Sequence, residues 1–243
     1  MYAKFFKRAI DFLLSLVALI VLSPVLLLLI IVGAIAMHGN PFFTQSRPGK
    51  INSKTGKEQI FKLIKLRTMS NKKDEFGNLL PDELRLNKYG RFLRSTSLDE
   101  LPELLNIVIG DMAIVGPRPQ LVRDMTFMND DQRKRHCVRP GLTGLAQVNG
   151  RNNITWEQKF EFDLQYINDN ITFIADMKII IQTVAKVLKR SDVVRDGTVS
   201  DMDFGDWLLH AGKISNAEYD KKQNEANILL GIDSNEIAEV VYQ

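Results

Sequence analysis

The stretch FLLSLVALIVLSPVLLLLIIVGAIAM, residues 12–37, contains 26 residues without a single charge. As one straight α-helix it would be about 39 Å long, which exceeds the roughly 30 Å of a bilayer's hydrocarbon core. Basic residues precede it and AIA stands near its end, as in a secretory signal, but the apolar run is too long for such a signal. We therefore interpret residues 1–38 as a membrane anchor, and the rest of the chain must be arranged around it.

Ser23 and Pro24 stand at the middle of this anchor. Proline removes one helical hydrogen bond and bends the helix, and a serine hydroxyl can satisfy the backbone groups freed at the bend. Basic residues flank both ends, at Lys4, Lys7, Arg8, Arg47, Lys50, Lys54 and Lys57. Because orientation follows an asymmetry of basic flanks, near-equal flanks favour a re-entrant hairpin with both ends on one side. A proline-kinked span is equally compatible with the residues, since spanning helices tolerate proline.

Charge is unevenly distributed along the 243-residue chain. Residues 196–243 carry ten acidic and three basic side chains, a net charge of −7, which leaves +10 on residues 1–195. A basic body suggests anionic partners such as phospholipid head groups or phosphorylated substrates, and the lack of interleaved aromatic and basic residues argues against nucleic acid. The single cysteine, Cys137, excludes an intramolecular disulfide. We expect the anchor at 1–38, a main domain at 39–195 and an acidic helical appendage at 196–243.

Two carboxylates stand side by side in RSTSLDELPELLN, residues 94–106. Ser97 followed three residues later by Glu100 fits a capping box, in which each side chain satisfies a backbone N–H at a helix start. Asp99 and Glu100 would also be favoured at the positive end of the helix dipole. Paired carboxylates equally suit chemistry, so a helix cap and a catalytic pair both remain open from these residues alone.

Three further segments carry basic or glycine-rich patterns. EQIFKLIKLRTM, residues 58–69, alternates apolar side chains and then carries Lys65 and Arg67, which predicts a short strand with basic residues on one side. GDMAIVGPRPQ, residues 110–120, places Arg118 between two prolines whose fixed φ angles would hold its guanidinium rigidly, as phosphate recognition requires. RPGLTGLAQVNGR, residues 139–151, is rich in glycine, so its backbone N–H groups could approach a phosphate closely.

The usual motifs of histidine, cysteine and nucleotide chemistry are absent from the sequence: HExxH, CxxC, a Walker loop and GxGxxG. The three histidines, His38, His136 and His210, are scattered. Any catalysis therefore rests on carboxylates, arginine and lysine, a combination that suits phosphoryl transfer. In residues 172–190 an apolar stripe runs beside several lysines, which predicts either a core helix or a basic amphipathic helix on a membrane surface.

In this order the motifs resemble those of the small monotopic polyprenol-phosphate phosphoglycosyl transferases, also called bacterial sugar transferases. The resemblance runs from residue 1 to about residue 200, and nothing beyond that point matches the family. It rests on seven motifs: FKRAIDF, the Ser23-Pro24 pair, FTQSRPG, FKLIKLRTM, LRSTSLDELPELLN, GDMAIVGPRP and VRPGLTGLAQVNGR.

The resemblance implies transfer of a phosphosugar from a UDP-sugar to undecaprenyl phosphate with release of UMP, as the first membrane step of glycan assembly. The match is closest to the initiating enzymes of protein glycosylation, which use an acetamido sugar such as diacetylbacillosamine. Asp99 would be the nucleophile that forms an aspartyl phosphosugar, and Glu100 its partner in the pair, with both helping to hold Mg²⁺. The residues that we expect to bind substrate are Lys65, Arg67, Arg94, Arg118, Arg139, Gly141, Thr143, Gln147, Asn149 and Arg151.

The resemblance also implies a fold that is mainly α with little β. The anchor is then a re-entrant helix-break-helix hairpin broken at Ser23 and Pro24, and the compact catalytic domain, 39–195, has amphipathic surface helices. The protein would be monotopic in the bacterial inner membrane, with this domain on the cytoplasmic face. Expected partners are the UDP-sugar, undecaprenyl phosphate and membrane phospholipids, but no nucleic acid; a homo-oligomer and downstream glycosyltransferases are further candidates.

A membrane-anchored scaffold or interaction protein of a glycan assembly complex is the alternative function. It would explain the anchor and the acidic appendage, but neither Arg118 between two prolines nor the glycine-rich basic loop. Within the appendage, residues 215–230 predict a helix that begins near Ser215 and ends before Gly231.

Overall fold

The computed structural model of the protein describes residues 2–150, 154–169, 171–189 and 202–232. This part of the chain is mostly helical with two small sheets, which confirms the prediction of a mainly α fold with little β. Its α-helices are α1 Lys7–Ala36, α2 Asp82–Arg85, α3 Lys88–Thr96, α4 Glu103–Ile109, α5 Val122–Phe127, α6 Asp130–Arg133, α7 Leu145–Val148, α8 Trp156–Asp169, α9 Phe173–Lys189, α10 Phe204–His210 and α11 Asn216–Leu230. Its strands are β1 Phe42–Ile51, β2 Glu58–Leu66, β3 Ala113–Val115 and β4 Gly141–Thr143.

Helix α1 is continuous, with Pro24 inside it. Proline has no N–H to donate to the carbonyl four residues earlier, which here belongs to Ile20. The Ser23 hydroxyl donates to that carbonyl oxygen instead, at 2.8 Å. The structure therefore has one helix where we expected two halves separated by a break, because Ser23 satisfies the backbone group that Pro24 leaves open.

Both halves of α1 contact the same folded domain. In the first turn after its start, Arg8 donates a hydrogen bond to the carbonyl oxygen of Ile107 at 2.6 Å. In its second half, the hydroxyl of Tyr89 donates to the carbonyl oxygen of Leu29 at 2.7 Å. Most other apolar side chains of α1 are exposed, and among the described residues it is the one helix long and apolar enough to cross a membrane. The anchor thus lies along the domain and leaves an apolar face uncovered.

A buried carboxylate on α9 fixes the start of this anchor. The carboxylate of Asp176 accepts hydrogen bonds from Lys7 Nζ at 2.6 Å, from the hydroxyl of Tyr2 at 2.7 Å and from that of Tyr166 at 2.8 Å. Charge-assisted hydrogen bonds of this kind are among the stronger ones in proteins. They tie the N-terminal segment to α8 and α9.

The predicted strand at residues 58–69 is confirmed as β2, which pairs with β1 in an antiparallel hairpin. Phe61 and Leu63 are buried in a core with side chains of α4. Because side chains alternate along a strand, Lys65 lies on the same side as these two residues. Asn106 of α4 is hydrogen-bonded to this strand: its side-chain oxygen accepts from the backbone N–H of Ile64 at 3.1 Å.

The helix that we predicted to begin at Ser97 begins at Glu103 instead. Ser97 has a left-handed backbone, with φ of 56°, closes α3 and makes no side-chain cap. Leu98–Glu100 forms one 3-10 turn, and Pro102 precedes α4. Because proline contributes no N–H to the helical ladder, the regular helix starts only beyond it. The capping-box prediction is wrong, and the two carboxylates lie ahead of the helix rather than in its first turn.

The second sheet brings the glycine-rich loop against the segment that carries Arg118. Strands β3 and β4 are parallel, and the backbone N–H of Gly116 donates to the carbonyl oxygen of Thr143 at 2.9 Å. A Cβ added to Gly141 would lie 2.1 Å from the backbone nitrogen of Gly116. Only glycine fits at this position, because any side chain would force the two loops apart.

The first helix of the acidic appendage is packed into the protein core. Phe204 is 3% exposed, and its ring centroid lies 5.1 Å from those of Trp156 and Phe160 on α8. Its N–H donates to the buried carboxylate of Asp124 at 2.9 Å. The helix predicted at residues 215–230 is confirmed as α11. The appendage therefore shares a hydrophobic core with the domain that precedes it.

We predict that Phe204→Ala lowers the free energy of unfolding by about 3 kcal/mol, since it removes a buried aromatic ring and leaves a cavity. Leu229→Ala on α11 is the control: that side chain is 45% exposed, so its loss should change the free energy by less than about 0.5 kcal/mol. Denaturant unfolding in detergent micelles measures both. Equal small changes would contradict the packing of α10 described above.

Candidate active site

The candidate site is built around Glu100, where three segments of the chain meet. Oε1 of Glu100 accepts a hydrogen bond from Lys65 Nζ of β2 at 3.0 Å and another from Arg118 Nη2, in the loop after β3, at 2.7 Å. Strand alternation directs Lys65 into the interior, and the prolines on either side of Arg118 restrict its backbone. The structure thus brings together three residues that the sequence predicted to act in one site.

Glu103, which the sequence analysis did not select, is a further acidic member of this cluster. Its Oε1 lies 3.1 Å from Lys65 Nζ, and its side chain is 2% exposed. Burial raises the pKa of Glu103, and the neighbouring ammonium opposes that shift. Burial alone would lower the pKa of Lys65, but Glu100 and Glu103 raise it above its ordinary value. In the sequence, Glu103 resembles an ordinary residue of a helix start. The one signal that could have identified it is its spacing of three residues from Glu100, which places the two side chains on the same side of a helical turn.

Asp99 lies next to this cluster in the same 3-10 turn. Burial raises its pKa, as does the negative charge of Glu100, whereas Lys65, Arg118 and Arg94 oppose the rise. We expected a helix N-terminus to keep Asp99 ionised, but the helix begins four residues later. The three cations therefore supply the positive potential that opposes protonation of this carboxylate.

Arg118 reaches both the buried carboxylates and the solvent. Glu100 raises the pKa of its guanidinium, so the group stays charged at any physiological pH. Its side chain is 36% exposed, compared with 12% for Glu100. An arginine that is anchored at one nitrogen and partly open to solvent can present its remaining N–H groups to a phosphate.

The turn that carries Asp99 shares a hydrophobic cluster with the membrane anchor. Leu98 and Leu101, on either side of the acidic pair, pack against a hydrophobic cluster that contains Leu29 of α1. Leu26 and Ile30, which follow Pro24 in the same helix, pack against this cluster as well. The acidic pair thus lies between two leucines that share a hydrophobic cluster with α1, and most apolar side chains of α1 are exposed.

Two other predicted site residues, Arg94 and Arg67, lie on α3 and directly after β2. Arg94 donates from Nε to the hydroxyl of Thr68 at 3.1 Å, and burial lowers its pKa while the charge of Asp99 opposes that shift. Arg67 follows β2 directly, and its backbone N–H donates to the carbonyl oxygen of Pro41 at 2.7 Å. Arg94 is thus close enough to Asp99 to interact electrostatically.

The side chains of the glycine-rich loop hydrogen-bond within the domain. Thr143 is hydrogen-bonded to the hydroxyl of Thr183 on α9 at 2.6 Å. Gln147 donates to the carbonyl oxygen of Leu142 at 3.1 Å, and Asn149 donates to that of Leu145 at 2.8 Å. These contacts, like the close approach of Gly141 to Gly116, stabilise the loop beside the Arg118 segment. Arg151 lies outside the described residues.

Arg139 lies apart from the Glu100 cluster, at the opposite end of α4. Its Nε donates to the carbonyl oxygen of Gly110 at 2.7 Å, next to the carbonyl groups that Arg8 binds. Burial lowers the pKa of Arg139, and the like charge of Arg8 lowers it further. Two arginines at a helix C-terminus match the negative end of the helix dipole. The structure therefore gives Arg139 a contact with the end of α4, on the side where the anchor begins.

The donors available to a metal ion are few. Within the described ranges, histidine, cysteine, aspartate and glutamate side chains form no group of three or more that could hold a metal by itself. Asp99 and Glu100 nevertheless offer two adjacent carboxylates. Mg²⁺ is often bound by one or two carboxylates together with water and substrate phosphates, so this pair fits a magnesium ion that arrives with a phosphorylated substrate.

Comparison with known proteins agrees with the motif order. The model of the bacterial sugar transferase family matches residues 2–190. Uncharacterized sugar transferase EpsL from Bacillus subtilis is 46% identical over 182 residues, which cover 75% of this chain and 87% of that protein. Exopolysaccharide production protein ExoY from Rhizobium meliloti is 37% identical over 199 residues, covering 74% of this chain and 84% of that one.

A longer relative carries a more specific name. UDP-glucose:undecaprenyl-phosphate glucose-1-phosphate transferase from Klebsiella pneumoniae is 38% identical over 194 residues, which cover 74% of this chain and 40% of that protein. The match to the family model spans the anchor, the hairpin, the acidic pair and the loop of Arg118, and it ends before α10. The chain therefore belongs to the bacterial sugar transferase family and is a transferase.

Proposed function

We propose that the protein transfers a phosphosugar from a UDP-sugar to undecaprenyl phosphate and releases UMP. The name of the Klebsiella relative describes that reaction with UDP-glucose. The observation that carries the proposal is the position of Asp99 and Glu100, which lie among Lys65, Arg118 and Arg94. The leucines beside this pair share a hydrophobic cluster with the anchor. A cationic site at an apolar surface suits a diphosphate donor from water and a phosphate acceptor from the membrane.

The identity of the transferred sugar is a further part of the proposal. The motifs resemble those of the initiating enzymes of protein glycosylation most closely, and this resemblance favours an N-acetylated amino sugar such as diacetylbacillosamine. The names of relatives include glucose and galactose. A UMP-release assay with a panel of UDP-sugars therefore tests the reaction and identifies the sugar together.

The reaction proceeds in two displacements at the same phosphorus atom. First, a carboxylate oxygen of Asp99 attacks the β-phosphorus; the new bond gives an aspartyl phosphosugar, and the bond to the α-phosphate breaks to release UMP. Next, an oxygen of the lipid phosphate attacks that phosphorus, the bond to Asp99 breaks, and the carboxylate is restored. Covalent catalysis of this kind divides one difficult step into two easier ones.

The neighbouring side chains stabilise charge during both steps. Lys65 and Arg118 neutralise Glu100, and Arg118 offers further N–H groups to the equatorial oxygens of the transferring phosphoryl group. Asp99 and Glu100 are the residues that would hold Mg²⁺, whose charge would offset that of the diphosphate. Glu103 forms a second ion pair with the Lys65 ammonium and helps to hold it in place.

We propose that the anchor lies in one leaflet and keeps both of its ends on the same side of the membrane. The contacts of Arg8 with Ile107 and of Tyr89 with Leu29 attach both halves of α1 to one domain, which favours an anchor lying in one leaflet over one that crosses the bilayer. The exposed stripe of α9, with Ile181 and neighbouring lysines, would lie on the cytoplasmic surface of the inner membrane.

A membrane-anchored scaffold fits the cluster less well. Burying Lys65, Glu100 and Glu103 together is unfavourable unless their charges satisfy one another, and apolar residues of similar size are often as stable. A scaffold would gain nothing from this arrangement. A phosphoryl transferase needs it, because fixed charges stabilise its transition state.

We predict that Asp99→Asn lowers turnover by more than about a thousandfold, equivalent to roughly 4 kcal/mol, because an amide cannot act as an anionic nucleophile. The shape of the side chain is kept, so the variant should remain folded in the membrane. UMP release from the UDP-sugar panel with undecaprenyl phosphate provides the measurement. Asp131→Asn, at an exposed ion pair, is the matched control and should keep normal turnover. A rate for Asp99→Asn within tenfold of the wild type would refute the covalent mechanism.

The anchor topology predicts that labels at Ala3 and at Lys54 report the same side of the membrane. Single cysteines at these exposed positions, in a Cys137→Ser background, should react with a membrane-impermeant maleimide only after cells are lysed. The native Cys137, which is exposed, reports the side of the main domain. Opposite accessibility of the two positions would show that α1 crosses the bilayer.

A further inference from the structure

The loop that carries Arg118 is held in an unusual way, because prolines on both sides of this residue lack N–H groups. Proline fixes its own φ angle and restricts the residue before it to extended conformations. The restriction before proline still leaves the ψ angle of Arg118 a range of roughly 40°, and neither effect limits the ψ angle of Pro119. This angle determines where each carbonyl oxygen points. Some other contact must fix these carbonyl groups if the Arg118 side chain is to be aimed at Glu100.

Two arginines from other parts of the chain, the buried Arg135 and the half-buried Arg47, make that contact. Arg135 Nη2 donates to the carbonyl oxygen of Arg118 at 2.6 Å, and Arg47 Nη1 donates to that of Pro119 at 3.1 Å. Successive carbonyl groups of the loop are thus bound by two guanidinium groups, one from the 3-10 turn Lys134–Cys137 and one from β1.

Arg135 is itself rigidly held. Its side chain is 1% exposed, and Nη2 also lies 2.6 Å from Oδ2 of Asp163 on α8. The guanidinium carbon lies 5.8 Å from the ring centroid of Phe160, one helical turn earlier. A buried charge pair of this kind is weak evidence for stability, since apolar residues often serve as well. Both contacts are made by Nη2, whose two N–H groups lie in the plane of the guanidinium, so the angle between them is fixed, whereas a lysine ammonium rotates freely.

We propose that Arg135, held by Asp163, is a positioning residue that fixes the main chain at Arg118 and so directs the Arg118 guanidinium onto Glu100. The proposal rests on the proposed function, because it assigns Arg118 a part in phosphosugar transfer. Arg135 touches no reacting atom in this account and acts only through Arg118. Arg47 assists from β1, where Nη2 donates to the side-chain oxygen of Gln45 at 2.5 Å.

The first arm of the test is a double-mutant cycle on UMP release. Arg135→Lys keeps the charge for Asp163 but loses the fixed planar geometry of Nη2, so kcat should fall roughly 10- to 100-fold, as expected for a misplaced catalytic group. In an Arg118→Lys background the same substitution should change kcat by less than about threefold, because its effect passes through Arg118. An equal loss in both backgrounds would overturn the proposal, since a merely structural role predicts additivity.

Arg133→Lys is the matched control. Arg133 lies two residues earlier and makes two hydrogen bonds to the Glu58 carboxylate, at 2.9 and 2.6 Å, without touching the loop. It should leave kcat within about threefold of the wild type. Indistinguishable kcat values for the two variants would also overturn the proposal.

The second arm does not depend on activity. Hydrogen exchange of the backbone amides in residues 113–121 should be faster in Arg135→Lys than in the wild type and unchanged in Arg133→Lys. Unchanged exchange in Arg135→Lys would overturn the positioning role. If the wild-type protein released no UMP from any UDP-sugar, the proposed function would fail, whereas this arm would still decide whether Arg135 fixes the loop.

Discussion

The carboxylate of Glu100 accepts hydrogen bonds from both Lys65 and Arg118, and the arrangement of the site depends on this shared acceptor. Lys65 comes from a strand, Glu100 from a 3-10 turn and Arg118 from a loop between prolines. Removing Lys65 would leave the buried carboxylate of Glu103 without its cation, which is strongly unfavourable. The cluster therefore holds three distant segments in one geometry, with Asp99 at its edge.

The 3-10 turn Leu98–Glu100 connects the proposed catalytic carboxylates with the membrane anchor. Leu98 and Leu101 pack against a hydrophobic cluster that includes Leu29 of α1, which connects the nucleophile that we propose to the anchor. A transferase that joins a soluble nucleotide sugar to a lipid phosphate must bring a polar site to the edge of an apolar phase. In this protein one short turn does so, with charged residues on one side and leucines on the other.

Local sequence patterns correctly predicted those features of the fold that depend on residues close together in the chain. Alternation in β2 correctly placed Lys65 beside Phe61 and Leu63, and the capping residues of α11 correctly gave its bounds. The predictions failed where tertiary contacts decide. Ser97 matches a cap in sequence, but its positive φ ends the preceding helix instead. Arg139 and Arg118 look alike as basic residues near glycine and proline, yet one contacts the end of α4 and the other contacts Glu100. The pairing of Arg135 with Asp163 joins α8 to a segment 28 positions earlier, which no local pattern reveals.

The most direct test of the central claim is to look for the covalent intermediate itself. Purified protein is incubated with its UDP-sugar in the absence of undecaprenyl phosphate, quenched in acid, and analysed by intact mass and peptide mapping. The account predicts a mass increase equal to one phosphosugar, located on Asp99, together with release of one UMP per protein molecule. No adduct, with UMP released only when undecaprenyl phosphate is present, would show direct transfer and contradict the assignment of Asp99 as the nucleophile.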